Sequence, residues 1–169
     1  MKMNYFWQLF LALASGAFGA WIATFFALRR FYSEKWWEKR AVAVIELTDS
    51  IYQIKILQEY YSELREYHRE GPNEYPDFVK LDEAQIRELQ LAASRARKLI
   101  IKFSHAGQLL IPESVSILLR EYLKEERKVD HDVHFEGWDV EEAEEHLLSM
   151  SNTLFEKVLK ISRKELKAG

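Results

Sequence analysis

The sequence contains no cysteine and little of the two residues that shape turns, with six glycines and three prolines in 169 residues. The absence of cysteine excludes disulfide frameworks, thiolate zinc sites, iron–sulfur clusters and cysteine nucleophiles. The scarcity of glycine and proline argues against a turn-rich β-sandwich and against an active site built from loops. Apolar residues make up 48% of the chain, which excludes a disordered polyampholyte.

Charge is also missing from one end of the chain. No residue from Tyr5 to Leu28 is charged, whereas all 27 acidic residues follow Leu28. The residues of this run that are neither apolar nor aromatic are Gln8, Ser15, Gly16, Gly19 and Thr24. As a helix the run extends roughly 36 Å, enough to cross a hydrocarbon core of ~30 Å. The sequence therefore predicts a single transmembrane anchor over residues 1–30 and a cytoplasmic helical bundle over residues 31–169.

A cleaved signal peptide is the alternative explanation for this apolar run. The apolar core of a signal peptide spans about 7–15 residues and ends at a small-residue cleavage site. Ala12 and Ala14 resemble such a site, but the run continues beyond them through Trp21 and Phe26. This excess length favours a retained anchor.

The basic residues that flank the run predict its orientation. Lys2 precedes it, whereas Arg29, Arg30, Lys35, Lys39 and Arg40 follow it closely. Basic residues mark the cytoplasmic side of a membrane helix, so we expect an inner (plasma) membrane protein with its N-terminus outside and its C-terminus in the cytoplasm. The lipid bilayer is the first expected partner, contacted by these five residues together with Trp36 and Trp37.

Small residues occupy one side of the predicted membrane helix. Ala12, Gly16, Ala20 and Thr24 are spaced by four, and Ser15, Gly19, Ala23 and Ala27 form a neighbouring row. Such rows allow two helix backbones to approach closely in lipid. We therefore expect a homo-oligomer that associates through Ala12, Ser15, Gly16, Gly19, Ala20 and Ala23. The alternative is that alanine and glycine are simply frequent in membrane helices.

Two amphipathic helices are predicted in the first half of the remaining chain. Apolar residues of the first follow helical spacing at Val44, Leu47, Ile51, Ile54 and Tyr61, and the turn residues of 71–76 end this helix. The second begins at a capping box, Asp82 to Gln85, and ends around Ala106 and Gly107, with glycine as the C-cap. Its apolar face consists of Ile86, Leu89, Ala93, Ala96, Ile100 and Phe103.

Two more helices are predicted in the second half. Pro112 suits the first turn of the third helix, whose buried side is Val115, Leu118, Leu119 and Tyr122. A polar stretch at 129–138 predicts a loop, and Asp139 then caps a fourth helix with an apolar face of Val140, Ala143, Leu147, Met150, Leu154, Val158 and Ile161. No strand pattern is present, so we expect an all-α fold: one transmembrane helix followed by an antiparallel bundle of about four helices. A parallel coiled coil of two copies through the first helix is the alternative.

Charge is divided between the two ends of the expected bundle. Basic residues gather at the ends of the second and fourth helices: Arg95, Arg97, Lys98, Lys102, Lys157, Lys160, Arg163, Lys164 and Lys167. These ends are expected to lie toward the membrane, where anionic headgroups attract them. The acidic residues at the other end offer a docking surface for a basic protein partner. The helix dipole explains the same distribution in any bundle.

Candidate catalytic and metal-binding chemistry is sparse. His131, Asp132 and His134, with a carboxylate of the fourth helix, are the closest approach to a metal site, although polar loop residues explain them equally well. The run Glu141, Glu142, Glu144 and Glu145 is expected to be solvated and therefore unsuited to acid–base catalysis. No phosphate-binding glycine loop or nucleophile motif is present. We therefore predict no catalytic residue, no metal, no cofactor and no enzymatic activity.

Nucleic acid is not an expected partner. The part of the chain after Leu28 is net acidic, since it contains 27 acidic residues and all but one of the 24 basic ones. It also contains no nucleic-acid-binding motif. Arg95, Lys98 and Lys102 share a helix face, but lipid headgroups or surface ion pairs account for them better.

An aromatic and basic block, Phe31 to Arg40, follows the anchor and contains the sequence KWWEKR. It resembles the juxtamembrane segment of uncharacterised bacterial single-pass inner-membrane proteins, in which a KWWEKK-like sequence opens a long cytoplasmic helix. The resemblance covers about ten residues, and Arg40 stands where lysine is usual. It implies a bacterial inner-membrane setting and no particular activity.

These patterns together predict a membrane-anchored, non-enzymatic interaction or scaffold protein. It is expected to self-associate and to recruit or sense a cytoplasmic protein partner. The alternative is a membrane-perturbing effector of a bacterial stress or anti-phage system, in which Gln8, Ser15 and Thr24 line a pore.

Overall fold

A computed structural model describes the backbone from Met3 to Ala168, and all side chains there except those of residues 3, 4, 6, 12, 106, 108 and 166–168. Four α-helices account for most of it: α1 (Met3–Glu70), α2 (Glu83–Ala106), α3 (Glu113–His131) and α4 (Val140–Ala168). A 3₁₀ turn, Gly107–Leu109, follows α2, and a π-helical turn, Asp132–Glu136, follows α3. No strand occurs among the described residues, so the predicted all-α class is confirmed.

The chain divides into two compact units, Met1–Lys39 and Arg40–Gly169. The predicted boundary after residue 30 marks the end of the apolar run. The structural division marks where the chain begins to pack against other helices.

The first unit is the N-terminal part of α1, and its apolar side chains are uncovered. Trp21, whose ring lies 6.2 Å from that of Phe18 and 6.0 Å from that of Phe25, is 65% exposed. None of the most apolar 18-residue window is buried. By length and composition this is the one helix, among the described residues, that is suited to crossing a membrane. An N-terminal signal sequence meets the same two criteria.

Local sequence chemistry sets the end of α1 and the start of α2, as predicted. Gly71 adopts a left-handed φ of 91° directly after Glu70, a conformation that glycine adopts without strain. At the start of α2, the Asp82 carboxylate accepts a hydrogen bond from the Gln85 backbone N–H (2.8 Å). The Gln85 side chain accepts one from the Asp82 backbone N–H (2.9 Å), which completes the capping box.

Gly107 caps α2 as expected, but for a different physical reason. Its φ of −75° is right-handed, so no special backbone conformation requires glycine here. A Cβ at this position would lie 2.9 Å from Cδ1 of Ile111 and 3.2 Å from the ring of Phe103. Glycine is therefore required by close packing, which allows the 3₁₀ turn to fold against α2.

The prediction of a loop at 129–138 is wrong, because most of this stretch is helical. α3 continues through Val129, which is 2% exposed, and the π-helical turn extends the helical path to Glu136. Gly137, with a φ of 71°, ends the turn, and its N–H donates to the Asp132 carbonyl. The burial of Val129 stabilises the helix here, although the neighbouring residues in the sequence are polar. The loop proper is the short segment from Gly137 to Asp139, whose carboxylate caps α4.

The second unit contains one core to which all four helices contribute. Its least exposed apolar side chains are Leu47 and Ile51 of α1, Ile100 of α2, Ile111 before α3, Val115 and Leu119 of α3, and Val158 of α4. Burial of a side chain of this size contributes about 1.5–3 kcal/mol. Most of the predicted apolar faces are confirmed, but Val140 is 57% exposed, and Tyr60 is buried in place of Tyr61.

Buried serines, which the apolar patterns did not reveal, join α2 to α3. The Ser116 hydroxyl donates to the carbonyl of Ser104 (3.0 Å), and Arg120 donates to the same carbonyl (3.0 Å). Both serines are fully buried. These bonds satisfy polar groups near the end of α2 that burial would otherwise leave unpaired.

Candidate functional site

The predicted self-association residues lie on an open surface of the first unit. Ser15, Gly16, Gly19, Ala20 and Ala23 are exposed, whereas the side chain of Ala12 lies outside the described residues. Apart from the nearby backbone of α1 itself, a Cβ added at Gly16 or Gly19 would meet no described atom within 4 Å. A second helix can therefore approach this side of the α1 backbone closely.

The membrane-proximal residues of the prediction are also exposed: Arg29, Arg30, Lys35, Trp36, Trp37, Lys39 and Arg40. Two of them form ion pairs along α1, because Arg30 donates to Glu34 and Lys35 to Glu38, both at 2.8 Å. The Glu38 carboxylate raises the pKa of Lys35, and Lys35 in turn lowers the pKa of Glu38. Arg29, Lys39 and Arg40 have no ion pair with any described residue, so their charges remain open to a partner.

Arginines of α1 engage part of the acidic run of α4. Arg65 donates to Glu144 and lies 3.6 Å from Glu141, and Arg69 donates to Glu141 (3.0 Å). These pairs join the end of α1 to the start of α4. The sequence predicts a solvated acidic face and does not reveal the two arginines, which meet these glutamates only in the folded chain.

The basic residues of α2 and α4 differ in their partners. Arg97 of α2 donates three hydrogen bonds to Glu126 of α3, at 2.8, 3.0 and 3.2 Å, and this contact raises the pKa of Arg97. The exposed basic residues of α4 form no ion pair with any described residue: Lys157, Lys160, Arg163 and Lys164. The end of α4 therefore presents uncompensated positive charge.

The histidines are not arranged as in the predicted metal site. Ligand atoms of His131, Asp132 and Glu136 lie within 4.8 Å of one another, with two of the three residues exposed. His134 turns away, since its Nδ1 lies 2.7 Å from the Asp130 carbonyl. The π-helical turn is responsible, because its wider spacing brings Glu136, and not His134, beside His131.

An apolar groove between α1 and α4 was not predicted. This α1–α4 groove has a volume of about 520 Å³. It is lined by Val44, Ile45, Thr48, Asp49 and Tyr52 of α1 and by Phe155, Leu159, Ser162 and Arg163 of α4. The exposed residues Val42, Ile45, Asp49 and Tyr52 form a stripe at 3-4-3 spacing beside the core face of α1. That second stripe was the available sequence signal.

Comparison with protein-family models, curated proteins and solved structures found no match. Function must therefore be argued from the residues and their geometry.

One buried polar group of the core also stands apart. The Tyr122 side chain is 5% exposed, and its hydroxyl makes no hydrogen bond of good geometry with a described residue. Burial, assisted by the nearby Glu126 carboxylate, raises the pKa of Tyr122 well above its usual value, although the Gln58 side chain beside the hydroxyl opposes the shift. The phenol therefore remains protonated at alkaline pH values that ionise an exposed tyrosine.

Proposed function

We propose that this chain is a single-pass inner-membrane protein that works by interaction and not by catalysis. Residues 1–30 anchor it with the N-terminus outside, and residues 31–169 form a cytoplasmic antiparallel four-helix bundle. It self-associates through the small-residue side of the anchor and recruits or senses a cytoplasmic protein through the bundle.

The observation that carries this proposal is the uncovered apolar surface of α1. Phe18, Trp21 and Phe25 are all more than half exposed, and no charge occurs from Tyr5 to Leu28. Leaving each such side chain in water forgoes about 1.5–3 kcal/mol. A continuous surface of this kind requires an apolar environment, and a bilayer supplies one of matching thickness.

The bundle arrangement is supported by contacts between neighbouring helices. Arg65 near the end of α1 bonds Glu144 near the start of α4, and the ring of Tyr52, earlier in α1, lies 6.1 Å from that of Phe155, later in α4. Arg97 of α2 and Glu126 of α3 make an equivalent link. Neighbouring helices that run in opposite directions account for all three contacts.

The non-enzymatic part of the proposal rests on how the candidate acids are used. Glu141 and Glu144 accept from arginines of α1, so they serve as structural partners of Arg65 and Arg69. A pair of carboxylates committed in this way stabilises the junction of α1 with α4 and is poorly placed for proton transfer.

Membrane fractionation with reporter fusions at each end tests the anchor and its orientation. We expect the full chain in the membrane fraction, with a C-terminal reporter active in the cytoplasm and an N-terminal one active outside. A soluble product or a C-terminal reporter active outside would refute the proposal.

Self-association is tested by comparing two substitutions in the anchor. Gly16→Leu places a branched side chain on the small-residue side, where no described atom other than the nearby backbone of α1 itself lies within 4 Å of the new Cβ. Ala14→Leu makes a similar change on the opposite side of the helix and serves as the control. We expect Gly16→Leu to reduce cross-linked oligomers in membranes and Ala14→Leu to leave them unchanged.

A further inference from the structure

The α1–α4 groove combines an apolar interior with an exposed apolar edge. Val44, Phe155 and Leu159 are its buried or half-buried lining. Ile45 and Tyr52, which are 66% and 45% exposed, form the edge on the α1 side. An exposed apolar patch next to a hollow of this kind marks a docking surface.

The charges beside the groove have opposite signs on its two sides. Arg163 lines its α4 side and Asp49 its α1 side. Both are exposed, and neither forms an ion pair with another described residue. Each side therefore has charge available for a partner of the opposite sign.

This pattern is complementary to itself. Asp49 and Arg163 line the same groove. Because Tyr52 lies against Phe155 and the two helices run in opposite directions, Arg163 lies roughly 7 Å along the helices from the level of Asp49, an offset that a long arginine side chain can span. If two copies stand side by side in parallel, a two-fold axis along the helices brings the acidic α1 side of each copy against the basic α4 side of the other. A two-fold interface of this kind uses the same patch twice.

Ser162 provides a separate observation within the groove lining. It is 3% exposed, and its hydroxyl has no hydrogen-bond partner among the described residues. An unpaired buried hydroxyl is unfavourable, and a polar group of a docked helix relieves it.

We propose that the α1–α4 groove is a self-docking surface, which receives the exposed α1 stripe of a second copy (Val42, Ile45, Asp49 and Tyr52). This inference rests on the proposed function, because anchoring in one membrane is what makes the two copies parallel. Asp49 inside the groove disfavours an anionic lipid as the occupant, whereas a second copy provides Arg163 to pair with it.

The docking surface depends on the anchor for its strength. A stable interface between free proteins buries about 800 Å² on each partner, and a groove that spans little more than two turns of α1 provides less. Tethering both copies in a bilayer raises their effective concentration, so that a small contact is sufficient.

Site-specific cross-linking of the full chain in membranes tests the docking surface. The chain has no cysteine of its own, so an Ile45→Cys variant contains a single thiol. We expect it to form a disulfide-linked dimer under mild oxidation. Leu91→Cys, at an exposed leucine of α2, is the matched control and is expected to remain monomeric under the same conditions.

Charge reversal then tests which groups meet across the interface. Both charge reversals are made in the Ile45→Cys variant. Asp49→Lys alone places two positive charges at each of the two symmetry-related contacts, and Arg163→Asp alone places two negative charges there. We expect each to lower the dimer yield by roughly fivefold. Co-expression of the two variants with tags of different size restores both ion pairs, so the mixed dimer is expected to form at the original yield.

The outcomes separate this inference from the proposed function. The groove is not a self-docking surface if Ile45→Cys cross-links no better than Leu91→Cys. The same conclusion follows if the mixed dimer of the two charge variants does not reach the original yield. An Ile45→Cys adduct with a different protein overturns the self-docking proposal as well. Gly16→Cys in the anchor is measured in parallel. If it cross-links while Ile45→Cys does not, membrane self-association stands alone, and if neither cross-links, both proposals fail.

Discussion

Replacement of Tyr122 by phenylalanine tests the packing of the helical core through its dependence on pH. The Tyr122 phenol is 5% exposed, and its hydroxyl makes no hydrogen bond of good geometry with a described residue, although the Gln58 side chain lies beside it. Tyr122→Phe removes this hydroxyl with little change in shape. Because a buried unpaired polar group costs about 1–3 kcal/mol, we expect the variant at pH 7 to be as stable as the parent chain or more stable.

The difference is expected to grow in alkali. Burial raises the pKa of Tyr122 in the folded chain, whereas in the unfolded chain it titrates near its ordinary value of about 10. Above that pH the unfolded chain releases a proton that the folded chain retains, so the parent loses stability as the pH rises. At pH 11 the ionised fraction of the unfolded tyrosine corresponds to about 1.4 kcal/mol, which the phenylalanine variant does not lose.

Urea unfolding in detergent, followed by circular dichroism, measures both effects. The other tyrosines and the lysines titrate in parent and variant alike, so they cancel in the comparison. A parent-minus-variant difference that is the same at pH 7 and pH 11 would refute the burial of Tyr122. A variant that is less stable than the parent by more than about 1 kcal/mol at pH 7 would show that the hydroxyl is bonded after all.

Three further substitutions probe the fold, each measured by the same urea unfolding at pH 7. Leu47→Ala removes a fully buried side chain and is expected to cost about 2–5 kcal/mol. Leu91→Ala, at an exposed leucine of α2, is the matched control and is expected to cost little. Gly107→Ala is expected to cost about 1–3 kcal/mol through overpacking against Ile111, and a stability equal to that of the parent would contradict the close packing. Asp82→Ala is expected to lower the free energy of unfolding by about 0.5–2 kcal/mol, because it removes the α2 cap. Unchanged stability would contradict a stabilising role of the capping box.

Helix ends were predictable where the relevant chemistry is local. Asp82 and Gln85 are three residues apart, and their reciprocal hydrogen bonds involve only each other's backbone and side chains. Gly71 ends α1 by its own backbone conformation. In both cases the residues that determine the helix end are close together in the sequence, so the prediction from the sequence agrees with the structure.

Features that depend on distant residues could not be predicted. Val129 extends α3 because it packs in a core that the sequence around it does not describe. The pairing of Arg65 with Glu144 joins residues 79 positions apart. The groove required knowing that the second apolar stripe of α1 lies beside α4. The sequence provided the stripe, and only the fold indicates which helix is next to it.

The alternative function, membrane perturbation by a pore, gives a last prediction. A pore lined by Gln8, Ser15 and Thr24 requires these polar groups to face water. The Thr24 hydroxyl already donates to the Ala20 carbonyl (2.8 Å), which satisfies its proton within α1 and removes one reason for water to enter. We therefore expect overexpression of the chain to leave the membrane potential of the cells unchanged, as reported by a voltage-sensitive dye. Depolarisation that Gly16→Leu abolishes, while Ala14→Leu does not, would instead favour the pore, because it would link the loss of potential to close contact along the small-residue side of the anchor.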